Sequence, residues 1–223
     1  MSMAWLGMSF THVVLTLACS VLVAELAGYA LHRLMHSDRF PAMSRAHLVH
    51  HLLKYGPKQP MRTAEYIDAT SGRASIGNVG LEWLIPSGLI LGICWCALWL
   101  LSVPLAYRLI SMLTLLAWPI FMFSYLHDRM HIQNFWMERT LVVKWWFRKA
   151  RRLHDIHHRS LDSNGRMDKN FGIGFFLFDR VFRTLAKRHC PFNWHGYRAA
   201  VRRYRLERDQ DDDYTPFPSG FHI

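Results

Sequence analysis

Three long apolar stretches dominate the hydrophobic pattern of the chain. Residues 5–31 contain no Lys or Arg and a single carboxylate, Glu25. Residues 84–103 contain no charged side chain, and residues 105–126 contain only Arg108. About twenty apolar residues in a helix are enough to cross a bilayer. We therefore predict three transmembrane helices at these positions.

Prolines and basic residues predict how these spans are connected and oriented. Pro104 predicts a tight turn that makes a hairpin of the second and third spans, and Pro119 predicts a kink in the third. Positive charge begins just after the first span, at Arg33 and Arg39. Because Lys and Arg collect on the cytoplasmic side of membrane helices, we expect the N-terminus outside and the far end of the first span inside. A bacterial inner membrane is the favoured location, and the endoplasmic reticulum is the alternative.

The remaining segments are polar enough to lie outside the bilayer. Residues 54–80 are rich in Gly and Pro, as expected of a cytoplasmic loop. Residues 132–153 interleave aromatic and basic side chains, which is typical of a helix in the headgroup layer and also of surfaces that stack single-stranded nucleic acid. Beside membrane spans the interfacial helix is favoured. The pattern predicts an all-α integral membrane protein, with a capped membrane domain over 1–184 and a cytoplasmic C-terminal tail over 185–223.

Composition bears on the nucleic-acid alternative. The formal net charge is +11, which would suggest a nucleic-acid partner for a soluble protein. Here 51% of the residues are hydrophobic and many of them lie in the spans, so the asymmetric charge of membrane loops accounts for the basic excess. We expect membrane association and no nucleic-acid partner.

Ten histidines form four clusters with the spacing of helical turns. They are His32, His36, His47, His50, His51, His127, His131, His154, His157 and His158. Residues three and four apart share a helix face, so each cluster should direct its imidazoles to one side. Imidazole is the commonest side-chain ligand of transition metals. Ten imidazoles exceed the roughly four to six ligands of one ion, and the predicted spans bring all four clusters to one depth on one face, so we predict a site for two metal ions.

Three carboxylates are candidates for roles near these ions. Asp128 and Asp155 each directly follow a cluster histidine and precede another by three residues. They either accept hydrogen bonds from metal-bound imidazoles or cap and solvate the helices. Glu25 lies seven residues before His32, on nearly the same helix face. It either faces the metal site or a substrate cavity, or pairs with Arg33 or a histidine.

The ligand type indicates which chemistry the site could perform. The clusters lack the thiolates of iron–sulfur and structural zinc sites and the carboxylates of ferritin-like di-iron bundles. Iron with open coordination positions can reduce O2 and attack an unactivated C–H bond, whereas zinc, which can replace iron in purified protein, has no redox chemistry. A site at the membrane interface, above apolar helices, is placed to receive a lipid chain from the bilayer.

These motifs resemble the fatty acid hydroxylase and sterol desaturase superfamily of membrane di-iron enzymes. The four histidine clusters carry the resemblance, together with Asn-Phe-Gly at 170–172 and Asp-Arg-Val-Phe-Arg-Thr at 179–184. It covers about residues 29–184. Three residues depart from the family pattern, since Phe171, Phe178 and Arg183 stand where the family usually has Tyr, Trp and Gly.

The resemblance implies a function that the residues alone do not specify. The ten histidines would be the ligands of two iron ions, with O2 as co-substrate. The lipid substrate, an acyl chain, a sterol- or hopanoid-like ring or a carotenoid, would be hydroxylated or desaturated. No fused electron-carrier domain is visible, so a separate ferredoxin- or cytochrome-type donor with its reductase is expected. The alternative is a non-catalytic membrane protein that binds metal.

Overall fold

Helices make up the regular structure of the residues that can be described. The computed structural model describes residues 9–37, 39–64, 84–188 and 191–206, and these residues contain no β-strand, only two isolated bridges. In chain order, the main helices are α1 (Phe10–Met35), α2 (Pro41–Val49), α3 (Leu84–Leu100), α4 (Leu105–Pro119), α5 (Lys144–Arg159), α6 (Leu177–Val181) and α7 (Trp194–Arg203).

Two continuous helical segments are long and apolar enough to cross a membrane. They are Phe10–Met35 and Leu105–Arg129, and most of their apolar side chains are not buried within the protein. They correspond to the predicted first and third spans. Helix α3, in the predicted second span, is apolar but only 17 residues long, so a third span stays a prediction. Helices α3 and α4 form a hairpin, and Pro104 is the N-cap residue of α4, at the predicted turn.

The predicted kink at Pro119 takes the form of a change in helix type. Pro119 ends the regular α-helix, and Ile120–Leu126 continues as a π-helix. A proline ring cannot donate a backbone hydrogen bond and collides with the carbonyl four residues earlier, which disfavours a regular α-helical turn. The wider π-turns end directly before His127 and so set the direction in which its side chain leaves the helix.

The two long apolar segments pack side by side in the same direction. Near their starts, the Ser9 amide donates to the Tyr107 hydroxyl at 3.1 Å. Farther along, Trp118 Nε1 donates to Glu25 Oε1 at 2.7 Å. The matched pairs show that both helices run from one end of the molecule to the other in parallel. Their histidine-bearing C-terminal ends therefore lie together, as the sequence predicted.

The described residues after each membrane-length segment, 36–37, 39–64, 130–188 and 191–206, are called the cap. They share two hydrophobic cores with the ends of those segments. The first joins the π-helical turn to α5 and contains Met122, Leu126, Met130, Phe135, Met137, Phe147, Ala150 and Ile173. The second joins the end of α2 to α7 and contains Leu48, Leu52, Leu161, Met167, Ala200, Tyr204 and Leu206. Helix α7 lies in the predicted tail, and this part of the tail is packed into the cap.

The segment predicted as one interfacial helix has a different structure. Turns and a short 3-10 helix at Trp136–Glu138 precede α5, which begins only at Lys144 and continues to Arg159. The helix starts late because Phe135 and Met137 turn inward to the first core, and Asn134 takes a left-handed φ of 58°. Trp145, near the start of α5, is 72% exposed, which fits contact with the headgroup layer.

Candidate metal centre

The ten predicted histidines converge into two groups of five. The first group contains His32, His36, His47, His51 and His157. The second contains His50, His127, His131, His154 and His158. Within each group the ligand atoms lie within 4.8 Å of one another. The groups are adjacent, since the rings of His51 and His158 have centroids 3.8 Å apart.

The three-histidine clusters divide between the two groups, which differs from the prediction that each cluster points one way. Residues four apart on a helix differ by about 40° in direction, whereas residues three apart differ by about 60° in the opposite sense. His47 and His51 therefore stay together while His50 joins the second group. In the same way, His154 and His158 belong together to the second group, while His157 joins the first group. Each group thus contains two pairs of histidines that are four residues apart. Its fifth member comes from a cluster whose other two histidines belong to the other group.

Ring nitrogens inside each group are separated by a distance that a shared ion would give. In the first group, Nε2 of His36 lies 3.1 Å from Nε2 of His157 and 3.0 Å from Nε2 of His47. In the second, Nε2 of His131 lies 3.0 Å from Nε2 of His154. Ligands at right angles, each about 2.1 Å from a metal, are themselves about 3.0 Å apart. The donor atoms therefore fit one ion in each group.

Backbone carbonyls orient three of the imidazoles from behind. The Nδ1 atoms and their acceptors are His32 to the Phe171 carbonyl (2.6 Å), His157 to the Lys169 carbonyl (2.6 Å) and His131 to the Pro60 carbonyl (3.0 Å). A carbonyl oxygen only accepts, so each Nδ1 carries the proton and each Nε2 presents a lone pair to its group. Lone pairs facing each other at about 3 Å repel unless a cation lies between them, so this arrangement supports metal binding.

Burial keeps the imidazoles of the cap neutral. Removal from water lowers the pKa of His131 to about 3, and the hydrogen bond to Pro60 only partly opposes this. Burial is also the main cause that lowers the pKa of His36, His51 and His158 well below the usual value, and neighbouring histidines lower it further. Neutral imidazoles keep the lone pairs that bind metals.

The two candidate aspartates have different surroundings. Asp128 Oδ1 lies 3.9 Å from Nδ1 of His50 and 4.0 Å from Nδ1 of His127, so its carboxylate stands behind two rings of the second group. Asp155 accepts a hydrogen bond from Arg159 Nε at 3.2 Å, and its side chain is 31% exposed. Asp128 therefore lies close to side-chain nitrogens of two histidines of the second group.

Glu25 has a partner that was not among those predicted. Its carboxylate accepts the indole N–H of Trp118, and the residue is only 5% exposed. Seven helical residues separate it from His32, which corresponds to roughly 10 Å along the axis. Glu25 therefore links the two long helices below the histidine groups.

Sequence reasoning missed the backbone carbonyls and polar side chains that orient the histidines. The carbonyls of Pro60, Lys169 and Phe171 belong to the backbone, so no pattern of side chains in the sequence predicts their role. Asn170 and Asp179 are 0% exposed, whereas the sequence marks them only as members of the segment that resembles the family. The sequence signal available for them was their place in the segment from 170 to 184, 11 or more residues after the last histidine helix ends at Arg159.

The residues present fit a pair of transition-metal ions held by imidazole. Seven ring nitrogens, those of His32 Nε2, His36 Nδ1, His50 Nε2, His51 Nδ1, His127 Nε2, His154 Nδ1 and His158 Nδ1, are buried without a hydrogen-bond partner among the described residues. Buried polar atoms without partners are costly. Metal coordination would satisfy the Nε2 atoms among them, and imidazole-rich sites suit iron, copper, nickel and zinc.

Comparison with known proteins agrees with this site. The family model described as fatty acid hydroxylase matches residues 17–184, a range that contains all ten histidines and the segment from 170 to 184. No curated protein and no solved structure matched the chain. The family match covers well over half of the 223 residues. The chain belongs to the fatty acid hydroxylase family.

Proposed function

We propose that this membrane protein is an O2-dependent di-iron oxidoreductase that hydroxylates, or desaturates, an unactivated C–H bond of a lipid. The observation that carries the proposal is the pair of adjacent five-histidine groups at the shared end of two membrane-length helices. Family membership over residues 17–184 supports the same reaction class. Two iron ions held by the ten histidines would supply the reduction of O2 and the oxidising power for C–H cleavage.

The chain itself contributes orientation, charge and exclusion of water. The carbonyls of Pro60, Lys169 and Phe171 fix the tautomers of three histidines. We assign to Asp128 the role of an anionic partner behind the rings of the second group, since metal-binding imidazoles commonly have a carboxylate there. Eight of the ten histidines are less than 9% exposed, so solvent is largely kept from the reacting centre.

The apolar helices below the site suit a substrate that arrives from the bilayer. Side chains such as Leu113 (67% exposed) and Leu116 (44% exposed) face outward along the second long segment. A lipid chain moving along this surface reaches the histidine groups without crossing water. The candidate substrates are an acyl chain, a sterol-like or hopanoid-like ring and a carotenoid, and lipid mass spectrometry distinguishes them by mass.

An external electron source completes the proposed reaction. We expect a ferredoxin- or cytochrome-type carrier with its reductase, on the cytoplasmic side where the positive-inside rule places the histidine ends. Arg152 and Lys187 are exposed on the cap, and Arg152 donates to the Lys187 carbonyl. A basic surface of this kind favours encounter with an acidic carrier.

Comparative lipid mass spectrometry tests the function. The full chain is expressed in a host that lacks it, beside His157→Ala, which removes a proposed ligand, and His195→Gln, which alters an exposed histidine outside both groups. We expect a lipid that gains one oxygen, or one that loses two hydrogens, with the unchanged chain and with His195→Gln but not with His157→Ala.

The same experiment identifies the alternative. Product formation by His157→Ala would contradict the assignment of that histidine. A purified chain that retains zinc rather than iron, and consumes no O2 when supplied with reductant and lipid extract, would identify a non-catalytic metal-binding protein.

A further inference from the structure

One short turn orients two histidines of the first group at once. Asn170 takes a left-handed φ of 55°, and the carbonyls on either side of it, those of Lys169 and Phe171, accept from His157 and His32 respectively. The two histidines come from different helices, α5 and α1. The position of this turn therefore determines how two rings of the first group meet.

Asp179 fixes one half of the turn through backbone amides. Its Oδ1 accepts from the Phe171 amide at 2.8 Å and from the Thr184 hydroxyl at 2.7 Å, and its Oδ2 accepts from the Gly172 amide at 2.8 Å. The carboxylate is fully buried. A Cβ on Gly172 would lie 2.8 Å from Asp179 Oδ2, so the turn and the carboxylate fit together closely.

Asn170 fixes the other half of the turn. Its Nδ2 donates to the Leu153 and Ala186 carbonyls, both at 2.9 Å, and its Oδ1 accepts from the Ala186 amide at 2.7 Å. Leu153 directly precedes His154 on α5. The turn is thereby joined both to the helix that carries His157 and to the segment after α6.

The second group has supports of its own. His131 donates to the Pro60 carbonyl, and Asp128 stands behind His50 and His127. Arg151 holds the turn that carries His131 by donating to the Ile132 carbonyl at 2.8 Å. These contacts involve other segments than the turn around Asn170. A substitution in that turn can therefore disturb the first group without disturbing the second.

We propose that Asp179 is a positioning residue for the first histidine group, acting through the Phe171–Gly172 backbone on His32. The proposal rests on the metal-binding function proposed above and adds that the two ions are held independently. Asp179→Asn retains Oδ1 as an acceptor and replaces Oδ2 with an NH2 group that meets the Gly172 amide donor to donor. The Phe171 carbonyl then shifts, and with it the ring of His32.

The test measures metal release rather than turnover. The full chain is purified in detergent with iron bound, and ions per chain are counted while a chelator is titrated. Loss of an outer hydrogen-bond partner of a metal ligand weakens metal affinity by about 10- to 100-fold. We expect this weakening in Asp179→Asn for one of the two ions only. The matched control is Asp168→Asn, whose exposed carboxylate pairs with Lys169 and whose loss should leave both ions in place.

Double variants identify which ion is affected. At a chelator concentration that already removes the weakened ion from Asp179→Asn, adding His131→Ala should remove the remaining ion, whereas adding His36→Ala should cause little further loss. Thr184→Val removes the hydrogen bond from the Thr184 hydroxyl to Asp179 and also the contact of that hydroxyl with Tyr29 on α1. It leaves the Asp179 carboxylate in place, so it should weaken the same ion by less, and Tyr29→Phe, which loses only the second contact, is its control. Thr184→Val serves as the test variant if Asp179→Asn does not fold.

Several results would overturn the proposal. Release of both ions at the same chelator concentration, or of neither, from Asp179→Asn would contradict it, as would a Thr184→Val protein with unchanged release if Asp179→Asn fails to fold. A wild-type chain that binds no metal would contradict the proposed function as well, whereas wild-type binding of two ions with an unaffected Asp179→Asn contradicts only the positioning role.

Discussion

Arg183 holds a left-handed backbone conformation that favours glycine. Its φ is 59°, and its side chain is exposed. A non-glycine residue in this region costs about 1–2 kcal/mol because Cβ approaches the following carbonyl. Arg183→Gly should therefore stabilise the folded protein by about 1 kcal/mol. A rise in the thermal unfolding temperature of the detergent-purified chain would show this.

Arg180 offers a control of the opposite sign on the same surface. It lies in α6, Leu177–Val181, and is also exposed. Glycine within a helix costs about 1 kcal/mol relative to a good helix former, so Arg180→Gly should lower the unfolding temperature. Two variants that both lower it would show that the Arg183 side chain contributes more than its backbone conformation costs.

Histidine positions could be predicted from sequence, but their partition could not. Spacing alone identified all ten residues that the structure gathers. Spacing did not predict that His50 is separated from the other histidines of its cluster, or that His157 is separated from those of its own. This separation depends on which side of each helix the neighbouring helices occupy. The same holds for Glu25, whose partner Trp118 lies on another helix.

Helix α1 reaches the second long segment closely at Gly28. A Cβ there would collide with the ring of Phe123, one turn before the histidine-bearing ends. Gly28→Ala should turn this ring or separate the helices, at a cost of about 1–3 kcal/mol typical of overpacking. We expect a lower unfolding temperature and weaker retention of metal in the same chelator titration.

Gly92 in α3 is the matched control for this packing contact. Apart from its chain neighbours and the backbone of its own helix, no described atom lies within 4 Å of the position that its Cβ would take. Gly92→Ala should therefore leave metal retention unchanged and, by the greater helix propensity of Ala, not reduce stability. Equal effects of the two substitutions would contradict close packing at Gly28 as the cause.

Element boundaries show where local patterns stop being sufficient. The apolar runs predicted the two membrane-length helices, because burial in lipid depends on composition over about twenty residues. The aromatic and basic pattern over 132–153 predicted one helix, whereas α5 begins only at Lys144. The difference arises because Phe135 and Met137 serve a core shared with Met122 on another segment, which no local pattern records.

The whole molecule combines a membrane-length helix pair with a cap that buries many neutral imidazoles. Outside the two membrane-length segments, burial is the main cause of a lowered pKa in His36, His47, His50, His51, His131, His154, His157 and His158. Asp179 acts in the opposite sense, since burial raises its pKa. Because eight histidines and one aspartate have shifted pKa values in this part of the protein, the histidines dominate the dependence of stability on pH.

Acid should therefore destabilise the metal-free protein. Below about pH 6.5 the unfolded chain protonates these histidines, whereas the folded chain does not, and His131 resists protonation to about pH 3. Because the unfolded state then binds more protons, the free energy of unfolding falls as pH decreases through this window. The unfolding temperature of chelator-treated protein should be nearly level from pH 8 to about 7 and decline steadily below 6.5. His131→Gln should make the decline shallower, because it removes one imidazole whose pKa burial lowers. An unfolding temperature that rises on acidification would mean that the imidazoles are already protonated in the fold, and the lone pairs on which metal binding depends would then be missing.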